Sequence, residues 1–131
     1  MRFMLLMHAP RGTGDYQIDS WAPEELKAHH AHMMRMHRDL TESGELVGGE
    51  GLAAPGEAKL VRAGKTGEPI TDGPFPESKE FLAGYWIVEV DDPERAYQIA
   101  ANASMAPGPG GAPLYLPIEV RQVMSAPPTD V

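Results

Sequence analysis

The sequence predicts an α+β fold of the split β-α-β kind, and three observations carry the prediction. Short, apolar, β-rich stretches alternate with two segments of helical periodicity, in the order β-α-β, an inserted β-hairpin, then β-α-β. Each helical segment opens on a proline, Pro23 or Pro93, beside acidic residues that suit the positive end of a helix. The 131 residues make one domain's length, and 42% apolar with 23% charged residues is a globular composition.

Residues 2–8 (Arg-Phe-Met-Leu-Leu-Met-His) read as a buried central strand, and residues 9–20 carry loop chemistry. A helix is expected from about Trp21–Pro23 to Ser43, with Ser20 or Ala22 ahead of it and Gly44 as C-cap. At about 100° per residue, Leu26, Met33 and Leu40 share its apolar stripe. His30 and His37 lie beside that stripe on one side, and His29 and Met36 on the other. His32, Arg35 and Arg38 point to water.

Leu46–Leu52 reads as a short strand loosened by Gly48, Gly49 and Gly51. Ala58–Arg62 and Glu68–Thr71 form a hairpin across Gly64-Lys65-Thr66-Gly67. Asp72-Gly73-Pro74-Phe75-Pro76 is a rigid turn, because two prolines fix φ. Glu77–Leu82 reads as one helical turn and Gly84–Val90 as a strand. Asp92 caps a second helix that runs to about Ser104. Residues 105–113 form a loop and Ile118–Val123 a last strand. The domain spans 1–124, with a frayed tail at 125–131. This order of elements is ferredoxin-like.

Composition excludes several functions. The absence of cysteine removes disulfides, thiolate nucleophiles and Cys-type metal centres, and it fits a reducing cytoplasm. A formal charge of −8 repels phosphate backbones and disfavours nucleic acid as a partner. No apolar run reaches the roughly 20 residues of a membrane span. His8 and Pro10 interrupt the apolar start too early for a signal peptide. Neither Gly12-Thr13-Gly14 nor Gly108–Gly111 is a phosphate loop, and no cofactor is expected. In the histidine cluster only His29 and His32 have helical metal spacing, without a completing carboxylate, so no metal is expected.

The candidates for chemistry are few. His30 can face a pocket as acid or base, because an imidazole titrates near neutrality. His8, at a strand end, is a second candidate; its structural reading is a bond to a loop carbonyl. Asp72 is either a turn former bonded to its own backbone or a carboxylate partnering a histidine. Lys79 and Glu80 are either a solvated charged turn or a substrate-facing pair, with Lys79 holding an anionic group. Glu50 and Glu119 sit in strands, where a buried carboxylate is costly and therefore informative. Glu50 joins Lys79 and Glu80 as a substrate contact, and Arg121 can pair with Glu119.

The stretch from Thr71 to Glu80 (Thr-Asp-Gly-Pro-Phe-Pro-Glu-Ser-Lys-Glu), followed by Gly84-Tyr85, resembles the signature of the YCII-related family, in the branch named for its Asp-Gly-Pro-Phe motif. The first strand, Gly48-Gly49-Glu50-Gly51-Leu52, Val88–Asp92 and Ile118–Arg121 are similar to the family's strands. The resemblance runs from Met1 to about Met124. It implies a ferredoxin-like fold that pairs as a dimeric α/β barrel, hence a homodimer. One relative is a dehydrochlorinase of a chlorinated hydroxyquinol, and others accompany extracytoplasmic-function sigma factors. The family's histidine of a His–Asp pair falls on Met33 when the helix is anchored at Gly44. His29 and His30 take its place only after a shift.

The expected function is therefore proton transfer of lyase type on a small phenolic or anionic molecule. His30 or His8 would be the base, Asp72 the orienting carboxylate and Lys79 the steadying cation. The alternative is a non-catalytic binding or regulatory module, such as a sigma-factor accessory.

Overall fold

The computed structural model describes residues 1–10, 18–53, 55–72 and 80–124, with Asp19, Glu57 and Asp72 through their main chains alone. In chain order the elements are β1 (Arg2–Pro10), α1 (Pro23–Ser43), β2 (Leu46–Gly51), β3 (Leu60–Ala63) and β4 (Pro69–Asp72). They continue with β5 (Glu80–Glu89), α2 (Pro93–Ser104) and β6 (Ile118–Gln122). Four strands form one sheet in the order β2-β5-β1-β6, antiparallel at every pairing. This is the ferredoxin-like α+β arrangement. Strands β3 and β4 form a separate two-stranded antiparallel sheet.

Strand β1 shows why the helices lie where they do. Phe3, Leu5, Met7 and Ala9 are buried, while Met4, Leu6 and His8 are half-buried on the other face. That alternation is the period of a strand with only one covered face. Register carries it across the sheet, with Phe3 opposite Val88 and Leu5 opposite Trp86. Leu5 and Val88 are completely buried, and each contributes roughly 1.5–3 kcal/mol by leaving water. Helix α2 covers this face with Ala96, Ile99, Ala100 and Ala103, whose small size lets the helix approach closely.

Local chemistry sets the helix ends. Asp92 accepts the Arg95 backbone N–H at 2.9 Å. Gly44 ends α1 at φ 78°, a left-handed value that favours glycine. Arg95 then grips Glu45 through two bonds of 2.8 and 2.9 Å, tying the start of α2 to the junction after α1. The Arg95 guanidinium accordingly holds the Glu45 carboxyl below the usual range.

Two sequence expectations need correction. The buried positions of α1 are His29, Met36 and Leu40, while Leu26 and Met33 are only half-buried. A histidine takes the place expected of an aliphatic residue because its ring nitrogen finds a carbonyl. The expected helical turn over Glu77–Leu82 is replaced at Glu80–Leu82 by the start of β5, paired with Pro10, Ala9 and His8. Ladder bonds to β1 outweigh a local pattern of charges. Residues 77–79 lie outside the described residues, as do most of the Asp-Gly-Pro-Phe motif and the tail at 125–131.

Glycine is required at one point of β2. A Cβ on Gly49 would stand 2.7 Å from the Tyr85 carbonyl oxygen and 3.1 Å from Trp86 Cα, whereas one on Gly48 meets nothing within 4 Å. Gly49→Ala is expected to destabilise by about 1–3 kcal/mol in urea unfolding, and Gly48→Ala to stay within about 0.5 kcal/mol. Equal effects would mean that β2 relaxes away from β5.

Candidate functional site: an imidazole-lined cleft

Between α1 and the β2–β5 edge of the sheet lies an open cleft of about 580 Å³. It exists because side chains are missing beneath the helix. Register places Gly49 opposite Trp86 and Gly51 opposite Gly84, all on the helix-facing side, with Ala83 at the bulge. Trp86 is the one large side chain that these strands raise into the floor, where it packs against both core clusters. A Cβ on Gly51 would touch nothing within 4 Å, so this position opens directly into free space.

Helix α1 supplies the facing wall. His30, Met34 and His37 stand at i, i+4 and i+7, one stripe of a helix, with His29 and Met33 nearer the core. Met7 and Ile18 complete the apolar lining. Met34 is 72% exposed, which places it at the rim.

His29 is the most constrained group in the cleft. It is buried, its Nδ1 lies 3.0 Å from the Pro107 carbonyl oxygen, and its ring meets Trp21 edge-on at 5.2 Å. A carbonyl only accepts, so Nδ1 carries the hydrogen and, in the neutral ring, the basic lone pair is on Nε2. Burial pushes the His29 imidazole below its ordinary range; the Pro107 bond opposes this in part, and the neighbouring His30 and His32 add to the lowering. Burial thus favours the neutral form of His29, and the Pro107 carbonyl selects its tautomer.

The first turns of α1 are held by two more polar contacts. His32 Nε2 bonds the Asn102 carbonyl at 2.8 Å, although its position had suggested a purely solvated ring. Glu25 receives the Gly110 N–H at 2.6 Å and the Ala22 N–H at 2.9 Å, and these bonds hold its carboxyl below the usual range.

The structure brings together some of the sequence candidates and separates others. His30 and Glu50 both border the cleft. Glu50 pairs with Tyr85 rather than with Trp86, so its carboxylate leaves the sheet on the opposite face. His8 stands on that opposite face, bonded to Glu119 at 3.0 Å, and Arg121 approaches Glu119 at 3.6 Å. Glu80 opens β5 opposite Pro10 and does not line the cleft. Asp72 ends β4 opposite Leu60, its side chain outside the described residues together with the whole of Lys79. Sequence reasoning reached His29 only through a shifted match to the family's histidine and did not place it in the cleft. The available signal was its i+7 spacing to Met36, which marks a buried stripe. Among the described residues, no three His, Asp or Glu side chains converge as a metal site, and His29 and His32 turn to different carbonyls. No described helix is long and apolar enough to cross a membrane.

Fold and cleft together define a ferredoxin-like α+β protein with a histidine-bearing cleft under its first helix. A model of the YCII-related domain matches residues 1–110, and the chain belongs to the YCII-related family. None of the curated proteins matches it.

The depressed affinity of His29 for protons fixes the sign of a pH effect. Below about pH 6.5 the unfolded chain binds a proton at this position that the folded protein does not, so acid favours unfolding. His29→Asn retains a donor toward Pro107 and removes the titration. The stability advantage of wild type over His29→Asn is expected to shrink between pH 7.5 and 5.5, read from urea midpoints. An advantage that stays constant would show that His29 is not held neutral.

Proposed function

We propose that the cleft binds a small molecule and carries out proton transfer of lyase type, as in a dehydrochlorination, within a cytoplasmic homodimer. The observation that carries this reading is His29, a buried imidazole whose protonated form burial disfavours and whose Nδ1 lies 3.0 Å from the Pro107 carbonyl oxygen. A general base needs the unprotonated form at neutral pH, and fixing one nitrogen directs the other. For a chlorinated hydroxyquinol, one hydroxyl loses its proton and becomes a ketone as His30 gives a proton to the ring carbon that bears chlorine. His29 then takes the proton of a second hydroxyl. The electrons of that O–H bond form a new π bond, and chloride leaves with the C–Cl pair.

His30, exposed at the mouth with its ring centroid 6.1 Å from that of His29, is the second acid–base group. Asp72 is the carboxylate partner of a cleft histidine in this proposal, and Lys79 the cation that steadies negative charge as it develops. His8 and the Glu50 carboxylate, on the other face of the sheet, take no part in it.

Chloride release from a chlorinated hydroxyquinol, followed with an ion-selective electrode, tests the chemistry. His29→Asn is expected to lower the rate at least about 100-fold, the lower end of what a general base contributes. An unchanged rate removes His29 from the mechanism. Asp72→Asn keeps the shape and removes the charge, so one histidine should lose about one pKa unit in an NMR titration of all five, with His30 the expected one. Five superimposed curves would eliminate the Asp72 pair.

The homodimer in this reading is supported by the sheet face opposite the helices. Met4, Leu6, Tyr85 and Ile87 are half-buried there and share one side by register. Pairing two such faces gives a dimeric α/β barrel. Light scattering at micromolar concentration is expected to give about twice the chain mass of 14.2 kDa, and a monomer would overturn the pairing.

A further inference from the structure

Among the described residues, the ionisable side chains on the helix-facing side of the cleft are all imidazoles: His29, His30 and His37. The bordering strands add Glu50 and Tyr85, but these pair with each other and send both side chains to the opposite face. The other cleft surfaces are apolar, with the Trp86 indole below and the thioethers of Met33 and Met34 beside it. The volume of about 580 Å³ lies inside the range of small-molecule sites.

We propose that the ligand of this cleft is an aromatic anion, its ring against Trp86 and the methionine thioethers and its charged group toward His30 and His37. The proposal rests on the reading of the cleft as a ligand site and adds the chemical class. A flat ring matches an indole face and polarisable sulfur. An anion meets two imidazoles that are able to donate and, when protonated, to pair with it. Among the described residues, no carboxylate side chain lines the helix-facing wall of the cleft to receive a cation.

The formal charge of −8 opposes anions at long range, so a preference for one must arise locally. A protonated imidazole pairs with an anion where a neutral one only donates to it, so binding is expected to be tighter in mild acid. On α1, Lys27 lies one turn before His30 and adds to the local positive field, and burial disfavours the protonated form of His29. From β2 and β5 the titratable residues are Glu50 and Tyr85 on the far face, and the turn at Ile18 contributes an aliphatic side chain to the cleft.

The test uses the full chain and three isosteric probes in calorimetry at pH 6 and pH 8. They are 2-naphthoate, 2-naphthylmethanol and 2-naphthylmethylammonium. Naphthoate is ionised at both pH values, so any change with pH belongs to the protein. Naphthoate is expected to bind about tenfold more tightly than either other probe at pH 6, and to weaken about tenfold by pH 8, the size of one modest ion pair. His30→Gln with His37→Gln should remove that pH dependence. Gly51→Leu fills the cleft without touching an imidazole and should abolish binding while circular dichroism stays native. Should Gly51→Leu fail to fold, the double histidine variant decides alone.

Equal affinity for all three probes, or naphthoate binding that the double variant leaves unchanged, overturns the anion class and leaves the acid–base reading standing. Naphthoate binding that persists in folded Gly51→Leu places the anion elsewhere and overturns the proposal. Failure of every probe to bind or to shift any histidine resonance overturns the cleft as a ligand site as well.

Discussion

The bond from His29 Nδ1 to the Pro107 carbonyl is the contact on which the cleft depends. Helix α1 is 21 residues long, about 31 Å, and its two halves are secured by different forces. The C-terminal half is a conventional amphipathic helix, with Met36 and Leu40 in one cluster with Phe3, Leu5 and Val88. The N-terminal half is held by polar contacts of Glu25, His29 and His32 to the segment from Asn102 to Gly110. That segment turns back on itself through a bridge between Pro107 and Pro113 and left-handed glycines at 110 and 111. A helix anchored this way does not need to fill the space above β2 with side chains. The cleft is the space it leaves.

The glycines of β2 divide that task. Gly49 is demanded by contact, because any side chain there would meet the β5 main chain. Gly51 is not, since its Cβ position is open and its backbone is not left-handed. A glycine in a strand costs roughly 0.5–1 kcal/mol relative to alanine. Packing therefore accounts for Gly49, while at Gly51 what the missing side chain provides is cleft volume. The stripe of His30, Met34 and His37 therefore faces open space rather than side chains of β2.

The fold was legible in the sequence because its signals are local and strong. Pro23, Gly44, Asp92 and Pro93 mark helix ends by their own backbone chemistry, and both helices end where these residues say. The placement of His30 and His37 on one side of α1 followed from the helical period alone. His29 was misplaced because the period identifies a face but does not say which face is buried. A histidine becomes a core residue only when a carbonyl 78 residues away meets its nitrogen. The start of β5 was misread for the same reason. Glu80–Leu82 are strand by virtue of their partners Pro10, Ala9 and His8, which no local pattern reveals. Glu50 was chosen for being a carboxylate in a strand, but only register tells which face it serves.

That period of two also separates the two surfaces the protein presents. On the helix side, Gly49, Gly51 and Trp86 frame the cleft. On the other side, Met4, Leu6, Tyr85 and Ile87 form a half-buried apolar centre. Charged groups border that centre: Arg2 with Glu89, which also binds the N-terminus, at one end, His8 at the other, and Glu119 and Arg121 along β6, opposite Leu6 and Met4. An apolar centre with a polar rim is the anatomy of a protein interface. Each strand thus carries two independent sets of side chains. Leu6 and Ile87 lie on the apolar face and do not line the cleft, whereas Gly51 lines the cleft and lies off the apolar face. The two surfaces share a backbone and no side chain, so a substitution on one leaves the side chains of the other in place.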